Sequence, residues 1–61
     1  MERNIKQMKI YYKVIAERHC YTEIYFDEKR ARYKAQKMEG RLYKIIWTPT
    51  SKEIIEIPLG E

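Results

Sequence analysis

Arg30, Lys34 and Lys37 stand at the spacing i, i+4, i+7, with Tyr33 beside them and Arg41 a few residues on. Cations spaced this way on a helix line one edge, and that edge can follow a row of phosphates. Each phosphate neutralised releases counterions, so affinity gained in this way falls with salt. A second set mixes rings with charge: Tyr11, Tyr21 and Tyr25 lie in alternating segments that also carry Lys9, Lys13 and Lys44. Tyrosines among lysines make a stacking platform for single-stranded nucleic acid, where a stacked base contributes about 1–3 kcal/mol. The same rings, joined by isoleucine and leucine, also have the composition of a protein interface core.

Nucleophilic chemistry would fall to His19 and Cys20, each the only residue of its type. Adjacent strand residues point to opposite faces and do not hydrogen-bond each other. The pair therefore reads as a solvated turn histidine beside a half-buried structural cysteine. Glu17, Glu23, Glu53 and Glu56 include no pairing that stands out from ordinary surface charge. A small basic ribonuclease working with His, Tyr, Arg and Lys groups is one catalytic variant, but a walled pocket demands length, and there are only 61 residues. One cysteine excludes an intramolecular disulfide, and the soft ligands are too few for a zinc site. The expectation is a non-enzymatic binding module with no metal, no cofactor and no catalytic residue.

Charge is distributed unevenly. The chain carries thirteen Lys and Arg against nine Asp and Glu, a net charge of +4. From Lys29 to Lys44 seven basic residues face the single acid Glu39, whereas from Thr50 onward Lys52 stands against Glu53, Glu56 and Glu61. That asymmetry favours an acidic partner for the middle of the chain: DNA, RNA or an acidic protein. There is no glycine-rich phosphate loop, no recognition-helix pair and no zinc finger, so any nucleic-acid binding would use backbone charge and stacking, with low sequence specificity. The alternative from another class is a protein-interaction or inhibitor module of the phage or plasmid accessory type, using an exposed tyrosine-rich sheet face. A chain of this size buries only about 60% of the surface its unfolded form exposes, which favours a homodimer or another partner. The start M1-E-R-N-I-K-Q-M-K9 has no apolar run of signal-peptide length, and nowhere do about eighteen apolar residues adjoin. A cytoplasmic, reducing location without a membrane partner is the expectation.

The elements that must position these residues follow from periodicity. Apart from Met1 and Ile5 the first seven residues are polar or charged, and fraying is expected over 1–6. Residues 8–16 and 20–26 alternate with period two and are rich in β-branched and aromatic types, so they predict two strands joined by a turn at 17–19. Asp27 is placed to cap a helix over 27–39, with Ala31, Ala35 and Met38 on its inner stripe and Gly40 as its left-handed terminator. Residues 41–48 and 53–59 predict two more strands joined by the turn formers of 49–52, and Pro58 belongs at a strand end or an edge.

The order β-β-α-β-β with short connections predicts one small α+β domain over 1–61: a four-stranded antiparallel sheet, order 2-1-3-4, with one helix on one face. Alternation assigns Ile10, Tyr12, Val14, Ile24, Phe26, Tyr43, Ile45, Trp47, Ile55 and Ile57 to the helix side. Lys9, Tyr11, Lys13, Ile15, Tyr21, Glu23, Tyr25, Leu42, Lys44, Ile46, Ile54 and Glu56 go to the open side. The phase of the third strand rests on Lys44 alone, because 42–47 is apolar on both sides otherwise.

Overall fold

The computed structural model describes residues 7–60; the fraying expected over 1–6 lies outside them. Strand β1 (Lys9–Ala16) leads through a single 3₁₀ turn at Glu17–His19 into β2 (Tyr21–Tyr25). Helix α1 (Glu28–Lys37) follows, then β3 (Arg41–Thr48) and β4 (Ser51–Ile57). The strands form one antiparallel sheet in the order β2-β1-β3-β4, the expected topology, with β1 and β3 central. Their residues 10–15 and 42–47 are the most apolar of the chain's alternating segments, as strands with two neighbours should be.

Asp27 caps the helix as expected, its Oδ2 accepting from the Arg30 amide at 3.2 Å. Glu28 sits at the positive end of the helix and binds Arg32 one turn on, at 2.8 Å. The helix ends earlier than 39, and its left-handed residue is Glu39 (φ 55°), not Gly40. Two bonds close it: Glu39 N–H to Gln36 O at 3.2 Å and Gly40 N–H to Ala35 O at 2.8 Å, the pattern of a Schellman ending. Gly40 serves a different need. A Cβ there would lie 2.5 Å from Ile15 O and 3.0 Å from the Ala16 Cα, so only glycine lets the chain pass this close to β1.

The core is small. Ala31 and Ala35 on the helix meet Tyr12, Val14 and Leu42 on the central strands, with Tyr21, Tyr25, Ile57 and Leu59 packed round them. Two alanines without longer side chains bring the helix close to the sheet, and the residues beneath must fit that gap. Gln36 donates from Nε2 to Leu59 O at 3.2 Å, tying the segment after β4 to the helix.

Register corrects half of the assignment of faces. Tyr12 lies opposite Tyr25 and Lys44, and Val14 opposite Glu23 and Leu42, so these share the helix side with Tyr21 and Ile46. Lys9 lies opposite Trp47, Tyr11 opposite Ile45, and Lys13 opposite Ile24 and Tyr43, all on the open side. Strands β1 and β4 keep their expected phases, while β2 and β3 are reversed. The reason in β2 is Cys20. It is exposed, adopts φ 51°, and its N–H bonds Glu17 O at 3.0 Å, so it belongs to the turn and not to the strand. A four-residue connection pairs Ala16 with Tyr21 and inverts every side chain that follows.

Candidate nucleic-acid interface

The open side of the sheet carries the chemistry, with a cast that differs from the expected one. Along β1 run Lys9, Tyr11, Lys13 and Ile15; antiparallel to them along β3 run Trp47, Ile45, Tyr43 and Arg41. Two cations of β1 lie opposite rings of β3, Lys9 opposite Trp47 and Lys13 opposite Tyr43, while Tyr11 and Arg41 lie opposite isoleucines. The Lys9 Nζ lies 5.4 Å from the Trp47 ring centroid, within cation–π range. Phe26, just past β2 and 81% exposed, meets Tyr11 edge to face with centroids 6.4 Å apart. Trp47 and Tyr43, four residues apart on one strand, stand roughly 13 Å from each other.

Charge on this side is one-sided. Lys9, Lys13, Arg41 and Lys52 oppose a single acid, Glu56, among the described residues of the four strands. The Arg41 guanidinium is pushed above its already high range by its hydrogen bond to Tyr43 and by the nearby carboxylates of Glu56 and Glu17. Between the rings lies a shallow depression of about 280 Å³, lined by Tyr11, Tyr43 and four isoleucines (Ile15, Ile24, Ile45, Ile54) together with Lys13 and Lys52. Ile45 is only 4% exposed although the helix is on the other side, because its neighbours on three strands shelter it.

The residues expected on a helix ridge and on a sheet platform fall into three places. Arg30, Tyr33, Lys34 and Lys37 line the helix edge above β2. Lys9, Lys13 and Arg41 join Tyr11 on the open face, and half-buried Lys44 points to the helix side, opposite Tyr12. Tyr21 and Tyr25 are not on the platform. They lie under the helix edge, where their hydroxyls are 2.6 Å apart and both donate to Glu23, Tyr21 at short range and Tyr25 at 3.3 Å. Those bonds, to Glu23 first and then Tyr25, hold the Tyr21 hydroxyl well above the ordinary tyrosine range. The Lys34 Nζ covers the Tyr21 ring at 5.5 Å, and the Lys37 Nζ covers Tyr33 at 5.8 Å. On the helix ridge Lys34 and Lys37 thus lie over rings, as Lys9 does on the open face, where cations outnumber acids.

Trp47, Tyr43, Phe26 and Lys52 are the site residues that sequence reasoning placed elsewhere or passed over. The signal lay in loop length. A connection of two residues, or of four, joins strand positions of opposite parity, so Ile54 and Glu56 on the open side require Ile45 and Tyr43 there too. His19 and Cys20 are both exposed in the turn. No three His, Cys, Asp or Glu residues converge to hold a metal among the described residues. Nor, among those residues, is any helix long and apolar enough to cross a membrane.

What the fold and this face define is a small α+β domain with one bare, basic, ring-bearing sheet surface. Comparison with family models, with curated proteins and with solved structures finds no match for the chain.

Proposed function

We propose that this chain is a non-enzymatic nucleic-acid-binding module that takes single-stranded DNA or RNA across the open side of its sheet. The observation that carries the reading is the juxtaposition of Trp47, Tyr43, Tyr11 and Phe26 with Lys9, Lys13, Arg41 and Lys52 on one uncovered surface. Bases stack on the rings in any sequence, because every base has a π-face, while the cations hold phosphates between them. Sheet-based RNA binders place their stacking rings on the same kind of surface. Low sequence specificity follows, since no fixed donor or acceptor array faces the bases. The helix ridge of Arg30, Lys34 and Lys37 adds long-range attraction and guides the strand inward.

The second reading, a protein-interaction module, has its own observation: Ile15, Ile24, Ile45 and Ile54 form an apolar strip through the middle of the same face. The two readings part on salt. With four cations engaged, the log–log slope of affinity against salt for a single-stranded oligonucleotide should be about −3. Lys9→Glu with Lys13→Glu should halve that slope, and Arg30→Glu with Lys37→Glu should change it less. Binding that ignores both salt and the Lys9/Lys13 pair would overturn the nucleic-acid reading in favour of a protein partner.

A further inference from the structure

Strand β4 (Ser51–Ile57) closes one side of the sheet, and no strand pairs with its outer edge among the described residues. A bare edge is a row of unpaired N–H and C=O groups that invites another strand, and proteins that stay monomeric blunt it with proline, bulges or short length. This edge is seven residues long with no proline inside it, Pro58 coming only after its end. The charges it carries, Lys52, Glu53 and Glu56, include both signs and so can pair across a seam. Two large apolar side chains stand exposed on it, Ile54 at 58% and Ile55 at 40%.

We propose that the edge is occupied by the β4 of a second copy of this chain, antiparallel about a two-fold axis through Ile54, making one continuous eight-stranded sheet. The register follows from the residues. Opposite residues share a face, so in a symmetric antiparallel pair the axis must pass through a residue paired with its own copy. Ile54 is the midpoint of β4. Centred there, Lys52 meets Glu56 of the second copy, Glu56 meets the second Lys52, and Ile54 packs on Ile54. Both ion pairs and the isoleucine contact fall on the open side, and cross-strand pairs of these kinds stabilise antiparallel sheets. A centre one residue earlier sets Glu53 against Glu53; one residue later removes Lys52 from the pairing.

Backbone geometry agrees. The two-residue turn Pro49–Thr50 makes Thr48 and Ser51 a hydrogen-bonded pair, so from Ser51 alternate residues turn their backbone groups toward β3. Lys52, Ile54 and Glu56 turn theirs outward, and these are the three that the proposed register bonds across the axis. The opposite edge does not offer the same. β2 (Tyr21–Tyr25) has its midpoint at Glu23, and self-pairing there would oppose two carboxylates. The axis stands perpendicular to the sheet, so both open faces lie on the same side and both ring platforms stay uncovered. The dimer does not rest on the nucleic-acid reading and is tested without an oligonucleotide.

The experiment is sedimentation of the full chain over a range of concentrations, with Lys52→Glu, Glu56→Lys, and their equimolar mixture. Circular dichroism confirms that each variant keeps its fold. The parent should be a dimer, each single variant should dissociate about tenfold more readily, and the mixture should restore the parent's dimer, because in the mixed pair both contacts become Glu–Lys. Hydrogen exchange at raised concentration should slow at the amides of Lys52, Ile54 and Glu56 and leave those of β2 unchanged. A monomer at every concentration overturns the proposal, as does a dimer that both single variants leave intact or a mixture that stays as weak as its components.

Discussion

The two sides of the sheet are built by the same strands, but only one of them is covered by the helix. On the helix side the fully buried side chains are Val14 and Leu42, set beneath Ala31 and Ala35, and Gly40 lets the backbone close in. On the open side the same two central strands present Tyr11, Tyr43 and Trp47 beside Lys9, Lys13 and Arg41. A chain seeking stability alone would put its largest rings inside, where burying them contributes most. Here Tyr12 packs beneath the helix with Tyr21 and Tyr25 beside it, while Tyr11, Tyr43 and Trp47 take the open side. Those open-side rings stand among the cations Lys9, Lys13 and Arg41. The helix side holds the core, and the open side is where the proposed binding would take place.

That division can be broken from either side. Leu42→Ala opens a cavity in the tightest part of the molecule and should cost about 3 kcal/mol of unfolding free energy in a denaturant titration. Trp47→Ala, on the neighbouring strand segment but on the other side, should cost less than about half of that in stability while weakening oligonucleotide binding by about 1–3 kcal/mol. If both variants lose stability alike and binding is unmoved, the open face is a second core and the division fails.

Smaller changes sharpen it. Glu39 holds a left-handed conformation that a side chain disfavours, and its 2.9 Å bond to Arg18 lies on the exposed surface, where it offsets little of that strain. Glu39→Gly should therefore raise stability by about 0.5–1 kcal/mol and leave binding unchanged. The least effect belongs to pH. Tyr21 is favoured in its neutral form in the folded state by its bonds to Glu23 and Tyr25, so its pKa is raised on folding. A raised pKa gives stability that is complete below the unfolded value of about 10 and is lost as pH rises through the folded value. Tyr21→Phe should erase that part of the alkaline loss, seen as a stability difference from the parent that is constant up to about pH 10 and shrinks above it.

How much of this was legible in the residues differs between the two sides as well. The topology was, because period-two alternation, Asp27 and the turn formers each mark a boundary on short-range evidence. The phase of β1 was legible too, since Tyr12 and Val14 alternate with Lys9 and Lys13. The phases of β2 and β3 were not. In β3 both sides are apolar, and the one lysine that seemed to decide, Lys44, is half-buried on the helix side, where a long stem can lie along apolar surface while its ammonium reaches water. In β2 the outcome turned on whether Cys20 was the last residue of a turn or the first of a strand, and a left-handed cysteine leaves no mark in composition. Long-range pairing settled what local pattern could not, and with it which rings face outward.

Trp47 is the only tryptophan in the chain and stands on the face in question, so its fluorescence reports on the central claim directly. Titration with a short oligothymidylate at low salt should quench its emission saturably, and added salt should restore it. Emission that stays unchanged while anisotropy shows the oligonucleotide bound would place binding elsewhere on the molecule and contradict the account.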